Sequence, residues 1–384
     1  MRIVHLVNHC RLGHGNAHLA VDLACAQAAH GDAVAYLSEG GDFEGLLAEA
    51  GVAHRALRQR TRNPFVAAAS ALRLAAFLRG FRADIVHAHM MSGALLGFIA
   101  TRLGRARLVT TVHNSFDAHS GLMRVGDLVV AVSEAERSHL VERGFPASKV
   151  VAVLNGPLFG ARVPRDAPAP PDLPRPSVTT LCGLHPRKGV DDLIRAFALV
   201  APRHRAAHLN IVGDGPERAA LAALAAELGL AGRVRFHGEV GAPQGILRAT
   251  DVFVLASRSE PFGLVNLEAR SAGCAMIGTA VGGIPEALEH GRAGLLVPPR
   301  DPPALARALD DLLGDPDALA AFRAAALRGI ERFGVDRMRV HYRDAYEAVR
   351  ADRRNPRAAL ASGQPRRRGR PHEFPRPSTE FLSG

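Results

Sequence analysis

Short β-branched runs alternate with helical segments twice along this chain, and a stretch unable to form regular structure separates the two series. In the first series, "RIVHLV" (2–7), "AVAYLS" (33–38), "DIVHAH" (84–89), "RLVTTVH" (107–113), "DLVVAVS" (127–133) and "KVVAVLN" (149–155) are nearly continuous in apolar residues. Strands of this kind are buried on both faces, and strands that alternate with helices form parallel sheets covered on both sides. The next stretch, "PLFGARVPRDAPAPPDLPRPS" (157–177), holds seven prolines and no periodicity, so it reads as a linker. The rhythm then restarts with "SVTTLCGL", "HLNIVG", "RVRFHG", "DVFVLAS", "AMIGTA" and "AGLLVPP" as strands between helices such as "GVDDLIRAFALVA" and "GPERAALAALAAELGL". The expectation is an α/β chain of two Rossmann-like, doubly wound parallel-sheet domains, residues 1–160 and 177–333, joined by a linker at 161–176. Such sheets bind ligands beyond the carboxyl ends of their strands, so the cleft between the domains is the expected site.

Composition narrows the classes. The four cysteines, Cys10, Cys25, Cys182 and Cys274, form no CxxC pair, which fits free thiols in a reducing compartment. "MRIVHLV" lacks the apolar core and cleavage site of a signal peptide, and "FVAAASALRLAAFL" is broken by Arg73 before it reaches the length of a membrane span. A cytoplasmic protein is expected. The net charge of +11 suits phosphorylated ligands, an anionic membrane surface or nucleic acid. Nucleic acid is the weakest of these, since aromatic platforms are scarce and only the tail concentrates charge. That tail, 353–384, is rich in Arg and Pro and reads as disordered.

The chemistry concentrates at strand ends. In "SRSEPFGLVNLEARSAG" (257–273), Glu260 is expected in a loop facing the cleft, Gly263 opens a helix, and Glu268 lies inside that helix. Ionised carboxylates accept hydrogen bonds from hydroxyls, so two along one ligand can grip two polyol groups with a diphosphate at the helix N-terminus between them. The competing reading is a dipole-complementing Glu260 and an ordinary surface Glu268. "GLHPRKGVDD" (183–192) brings Arg187 and Lys188 to another strand end just before a helix, which makes an anion site. "TVHNSF" sets His113 at a strand end of the first domain; "HAH" (87–89) has the same position but is read as structural, a metal needing further ligands. In "NHCRLGHGNAHLA" (8–20), Gly13 and Gly15 permit a tight turn, but His18 stands where a dinucleotide fingerprint needs a third small residue. "DPD" (315–317) has the form of a metal-binding DxD but reads as a helix N-cap.

Taken in order, "GLHPRKGVDDLIRAF", "LNIVGDGPE", "VRFHGEV", "DVFVLASRSEPFGLVNLEARSAG", "GGIPE" and "AGLLVPP", with "TVHN", "VVAVSEAERSHLVERG" and "KVVAVLNG" before them, resemble the GT-B retaining glycosyltransferases of family 4 over roughly 1–350. The resemblance implies a sugar transfer from a nucleotide diphosphate to a hydroxyl. It places Glu260 on donor-sugar hydroxyls, Glu268 on the nucleotide ribose, and the backbone of Phe262, Gly263 and Leu264 on sugar and phosphates. It also puts Lys188 on the diphosphate and His113 near the C6 hydroxyl of the transferring sugar. It implies no metal and no cofactor, and a last helix, 334–352, that returns to the first domain. Two departures stand out: Cys182 and Gly183 occupy the place of a family arginine, for which Arg187 or Arg258 is a substitute, and Gly15, Asn16, Ala17 and His18 replace the family's acceptor-side G-G-x-E. The acceptor-side loop is therefore Gly13, Gly15 and Asn16 with altered chemistry. The expected partners are a nucleotide sugar, with uridine and guanosine both open, and a lipid-linked or saccharide acceptor, with peripheral contact to an anionic membrane. The alternatives are a glycoside hydrolase using Glu260 and Glu268, a GT-B sugar-nucleotide epimerase, and a basic binding protein acting through its tail.

Overall fold

The computed structural model describes residues 1–13, 15–162 and 171–361. The first domain is a seven-stranded sheet of β1 (Arg2–Leu6), β2 (Ala33–Ser38), β3 (Ala53–Ala56), β4 (Ile85–Ala88), β5 (Arg107–Val112), β6 (Leu128–Ala131) and β7 (Val150–Ala152). The second is a six-stranded sheet of β8 (Ser177–Leu181), β9 (His208–Val212), β10 (Val234–Gly238), β11 (Val252–Leu255), β12 (Ala275–Thr279) and β13 (Leu295–Val297). Every pairing is parallel, in the orders β3-β2-β1-β4-β5-β6-β7 and β10-β9-β8-β11-β12-β13. Both orders reverse at their centre, between β1 and β4 and between β8 and β11. Adjacent loops leave in opposite directions at such a switch point and open a crevice there.

The strands lie where apolar continuity put them, because they are buried on both faces: all four residues of β4 and of β11 are buried. The exception is β3, "AHRA", which sequence periodicity missed. It pairs only with β2 at the sheet edge and is largely exposed, so it carries no apolar signature. Helix starts follow side-chain caps. Asn63 accepts from Phe65 and Val66 N–H at the helix Pro64–Phe81, Ser133 from Glu136 N–H at Glu134–Glu142, and Asp301 from Ala304 N–H at Pro302–Gly314. "DPD" is a cap of this kind: Asp315 Oδ1 accepts from Asp317 N–H at 2.9 Å and Ala318 N–H at 3.0 Å. Each cap is worth about 1 kcal/mol.

The helix Val335–Ala351 crosses onto the first sheet. Met338, Tyr342, Ala345, Tyr346 and Val349 share one core with Ile3, Leu23, Val109 and Val130. Arg343 reaches both carboxylate oxygens of Asp32, at 2.9 and 2.8 Å. The expectation of disorder from residue 353 onward needs correction over 353–361. Arg353 Nε donates to Asp127 Oδ1 at 2.6 Å, and a short helix, Pro356–Ala361, is held by the Arg357 N–H on the Ser148 carbonyl. One side chain and one backbone N–H find a carboxylate and a carbonyl partner on the domain, which composition alone does not reveal. Residues 362–384 of that tail, and 163–170 of the linker, lie outside the described residues.

Candidate active site

At the switch point of the second sheet, β8 ends at Leu181 and the chain turns through Pro186–Lys188 into the helix Val190–Val200. Gly189 makes that turn at φ +63°, and a Cβ there would sit 2.1 Å from the Ala256 carbonyl oxygen, so only glycine fits. Arg258 fastens this loop to the one after β11. Its guanidinium bonds Asp191 at 2.7 and 2.8 Å, Asp192 at 3.0 Å and the Pro186 carbonyl at 3.0 Å. Arg258 is thereby neutralised and is not a free replacement for the family arginine. Arg187 makes no ion pair among the described residues; its guanidinium stacks over the Phe116 ring of the first domain, 5.6 Å from the centroid.

Lys188 Nζ forms an ion pair with Glu260 Oε2, and both side chains are largely buried. The Glu260 loop is held from below: a Cβ on Gly282, at φ +51°, would meet the Glu260 carbonyl oxygen at 1.8 Å, and the Gly283 N–H donates to that oxygen at 3.1 Å. Gly263, at φ +81°, then starts the helix Leu264–Ser271. Phe262 is buried with Val132, Leu158, Leu267, Ala287 and Phe333, so its ring packs the floor between the domains, leaving backbone to face the crevice.

Glu268 is half-buried. Burial pushes its pKa above the ordinary glutamate value, opposed by the positive charge of Arg162 and reinforced by Asp22. Arg162 is anchored by Asp22, at 2.7 Å from Nη2 and 2.9 Å from Nε, and by the His18 carbonyl at 3.1 Å. Glu260 and Glu268 therefore have separate neighbourhoods, Lys188 and Ser257 for one, Arg162 and Asp22 for the other. They are not a facing pair across one bond, the arrangement a glycoside hydrolase requires.

The first domain closes the crevice. A Cβ on Gly15 would touch Leu264 Cδ1 at 3.2 Å and one on Gly13, at φ +78°, Glu239 Oε1 at 3.0 Å. Asn16 Oδ1 accepts from the Ala17 N–H at 2.9 Å at the start of the helix Gly15–Ala29. Ser133 Oγ donates to the Pro261 carbonyl at 2.7 Å. His113, half-buried just past β5, bonds His89 at 3.0 Å through Nε2. Desolvation lowers its pKa to about 4, so at neutral pH it is an uncharged imidazole.

"HAH" proves to have partners. β1 pairs with β4 so that His5 lies beside His87, and ligand-capable atoms of His5, His87 and His89 all fall within 4.8 Å of one another. Each of their six ring nitrogens already has a protein partner: His89 and Gln27 for His5, Tyr346 and Thr111 for His87, His5 and His113 for His89. The cluster reads as a hydrogen-bond network. Sequence reasoning missed His5, Gln27, Asp22 and Arg162; the one available signal was a lone acid in the otherwise apolar helix "AHLAVDLACAQAA".

The site thus combines a Lys188 cation, a glycine-opened helix N-terminus, two separated carboxylates and a neutral imidazole, a set suited to holding a polyhydroxylated anion. The chain matches the model of "Glycosyltransferase Family 4" over 15–156 and that of "Glycosyl transferases group 1" over 175–315. It is 32% identical over 312 residues to the D-inositol 3-phosphate glycosyltransferase of Streptomyces scabiei, covering 71% of this chain and 70% of the relative. To the glycogen synthase of Mycobacterium tuberculosis it is 30% identical, over 65% of this chain and 64% of that one. Among solved structures, Anabaena Alr3699/HepE in complex with UDP and glucose superposes with a TM-score of 0.76 at 22% identity, covering 90% of this chain and 99% of that one. Sucrose-phosphate synthase from Thermosynechococcus elongatus superposes with a TM-score of 0.74 at 20% identity, over 91% and 100%. The chain belongs to glycosyltransferase family 4: it is a glycosyltransferase with the GT-B fold.

Proposed function

We propose that this enzyme moves a hexose from a nucleoside diphosphate to a hydroxyl of a lipid-linked or saccharide acceptor, with retention at the anomeric carbon and without a metal ion. The observation that carries the reading is the Lys188–Glu260 pair beside the helix opened by Gly263. Lys188, Arg187 and the backbone of Phe262, Gly263 and Leu264 take the diphosphate, and preorganised positive charge of this kind stabilises the leaving dianion. Glu260 accepts from hydroxyls of the sugar and Glu268 from the ribose. His113 accepts from the C6 hydroxyl. The acceptor enters past Gly13, Gly15 and Asn16. Among the described residues no carboxylate other than Glu260 pairs with Lys188, and Glu260 is committed to that pair, so attack from the leaving-group side is favoured. The departing phosphate oxygen then takes the acceptor proton. The complex of HepE with UDP and glucose supports a uridine donor.

A place at the inner face of an anionic membrane fits a second feature. The helix Pro64–Phe81 leaves Phe65 84% and Leu72 64% exposed, and the helix Met91–Arg102 exposes Leu95 and Ile99. Between residues 55 and 116 there are ten arginines and one acid, Asp84. Apolar side chains ringed by arginines bind anionic bilayers. This favours envelope polysaccharide or glycolipid synthesis.

The test is thermal stabilisation by a panel of nucleotides and nucleotide sugars, with excess EDTA alongside, and sedimentation with vesicles with and without anionic lipid. A shift with one nucleotide family that persists in EDTA supports the donor reading. No shift with any nucleotide sugar overturns it, and equal sedimentation with neutral vesicles overturns the membrane reading.

A further inference from the structure

We propose that Gln27, His5 and His89 are positioning residues that hold the imidazole of His113 in one tautomer, protonated on Nε2, so that Nδ1 meets the donor sugar only as a hydrogen-bond acceptor. The inference rests on the reading that His113 lies beside the transferring sugar. Its structural half stands on the hydrogen-bond chain alone.

The chain starts at an amide with two distinguishable ends. Gln27 Nε2 donates to the Tyr346 hydroxyl at 3.4 Å, and Gln27 Oε1 faces His5 Nε2 at 2.8 Å. Tyr346 sits on the helix that returns to the first sheet; with its oxygen accepting from Gln27, its hydroxyl hydrogen is free to donate to His87 Nδ1, 2.7 Å away. A neutral His87 that accepts at Nδ1 carries its proton on Nε2, which faces Thr111 Oγ1 at 2.7 Å. In this orientation Gln27 sets Oε1, and not Nε2, against His5.

An amide oxygen only accepts, so His5 carries its proton on Nε2. An uncharged imidazole has one donor and one acceptor nitrogen. His5 Nδ1 is therefore the acceptor in its 3.0 Å contact with His89 Nε2. His89 Nε2 is the donor, which leaves His89 Nδ1 to accept from His113 Nε2 at 3.0 Å. Each ring passes its direction to the next. Burial supports the neutral state throughout: it lowers the pKa of His5 and His113 to about 4 and that of His89 well below the ordinary value.

At the end of the series, His113 Nδ1 makes no hydrogen bond among the described residues, and it is not a buried atom. It is left with a lone pair open to solvent. A sugar hydroxyl can donate to it. A carboxylate or a methyl group at the same place has no O–H to donate. The device makes His113 selective for a hydroxyl-bearing hexose over its 6-deoxy and uronic counterparts.

The experiment uses the full chain with 15N-labelled histidine, free of substrate. One-bond and long-range 15N–1H correlations identify the protonated nitrogen of His113, assigned with His113→Gln. Wild type is expected to show Nε2–H alone. Gln27→Met, which keeps the side-chain length but removes the amide, and Tyr346→Phe, which removes the hydroxyl its Nε2 donates to, are expected to yield a mixture of tautomers in a chain that still melts cooperatively. In turnover, Gln27→Met lowers kcat about tenfold, one neutral hydrogen bond in the transition state, with the donor KM within twofold. Its preference for a hexose donor over the 6-deoxy counterpart falls with it. A wild-type His113 protonated on Nδ1, or a mixture, overturns the proposal without reference to any variant's folding. A tautomer unchanged in both folded variants overturns the role of Gln27. The spectrum needs no donor, so a failure of the transferase reading shows in turnover alone.

Discussion

The carboxylate of Glu286, in the second domain, caps a helix of the first: its two oxygens accept from the Glu134 and Ala135 N–H groups, each at 2.9 Å. The helix Glu134–Glu142 begins just past β6, and Glu286 lies in the short helix Ile284–Ala287 after β12. A helix N-terminus carries partial positive charge and unpaired donors, so this bond helps hold the domains together beside the Ser133–Pro261 hydrogen bond. Glu286→Ala is expected to destabilise that arrangement by about 1 kcal/mol. Small-angle scattering checks it: the radius of gyration without substrate rises in the variant and is unchanged in Glu134→Ala, whose backbone donor remains.

Removing Lys188 separates catalysis from folding. Lys188→Met is expected to lower kcat/KM roughly 10²–10³-fold, the size of one lost oxyanion donor. It also leaves Glu260 buried without its cation and lowers the melting temperature. Adding Glu260→Gln restores the melting temperature without restoring turnover. Recovery of both in the double variant shows that Lys188 serves the fold alone.

Glu268 is held at a cost to stability. Its pKa is raised by burial, so the folded state binds its proton more tightly than the unfolded chain does. The sign follows: this group favours the folded state below the ordinary glutamate pKa of about 4.3, and that contribution is lost as pH rises through the raised value. Glu268→Gln is therefore expected to raise the melting temperature at pH 7 and to change it little at about pH 4. The same variant loses nucleotide affinity, measured by titration calorimetry, while Glu260→Ala mainly lowers kcat. Equal losses of affinity in both variants exclude the division of roles.

The buried histidines act in the opposite sense. His5 and His113 have pKa values lowered to about 4, and burial holds those of His87 and His89 well below the ordinary 6.5. The unfolded chain binds these protons first, so stability is full above about 6.5 and falls as pH drops toward 4. A melting temperature flat from pH 8 to 7 and falling steeply between about 6.5 and 4 is expected. Because His113 stays neutral across that upper range, kcat/KM shows no inflection at about 6.5 that is lost in His113→Gln.

The alternation of strands and helices was legible because burial on both sheet faces leaves a local mark: four to six apolar residues in a row, then a 3.6-residue period. Gly263 and the caps at Asn63, Ser133, Asp301 and Asp315 are equally local, since each acts on atoms a few positions away. So the sequence by itself determined two doubly wound sheets and the strand ends where Lys188, Glu260, Glu268 and His113 sit. It did not determine their partners. β3 was lost because an edge strand need not be apolar. Arg258 was open as a phosphate ligand until the fold set it against Asp191 and Asp192, 67 and 66 positions away. His89 was a histidine without a partner until β4 paired with β1 and brought His5, 84 positions earlier, to 3.0 Å. Charge pairing and tautomer depend on which atoms stand within about 3 Å, and only strand register and domain closure decide that.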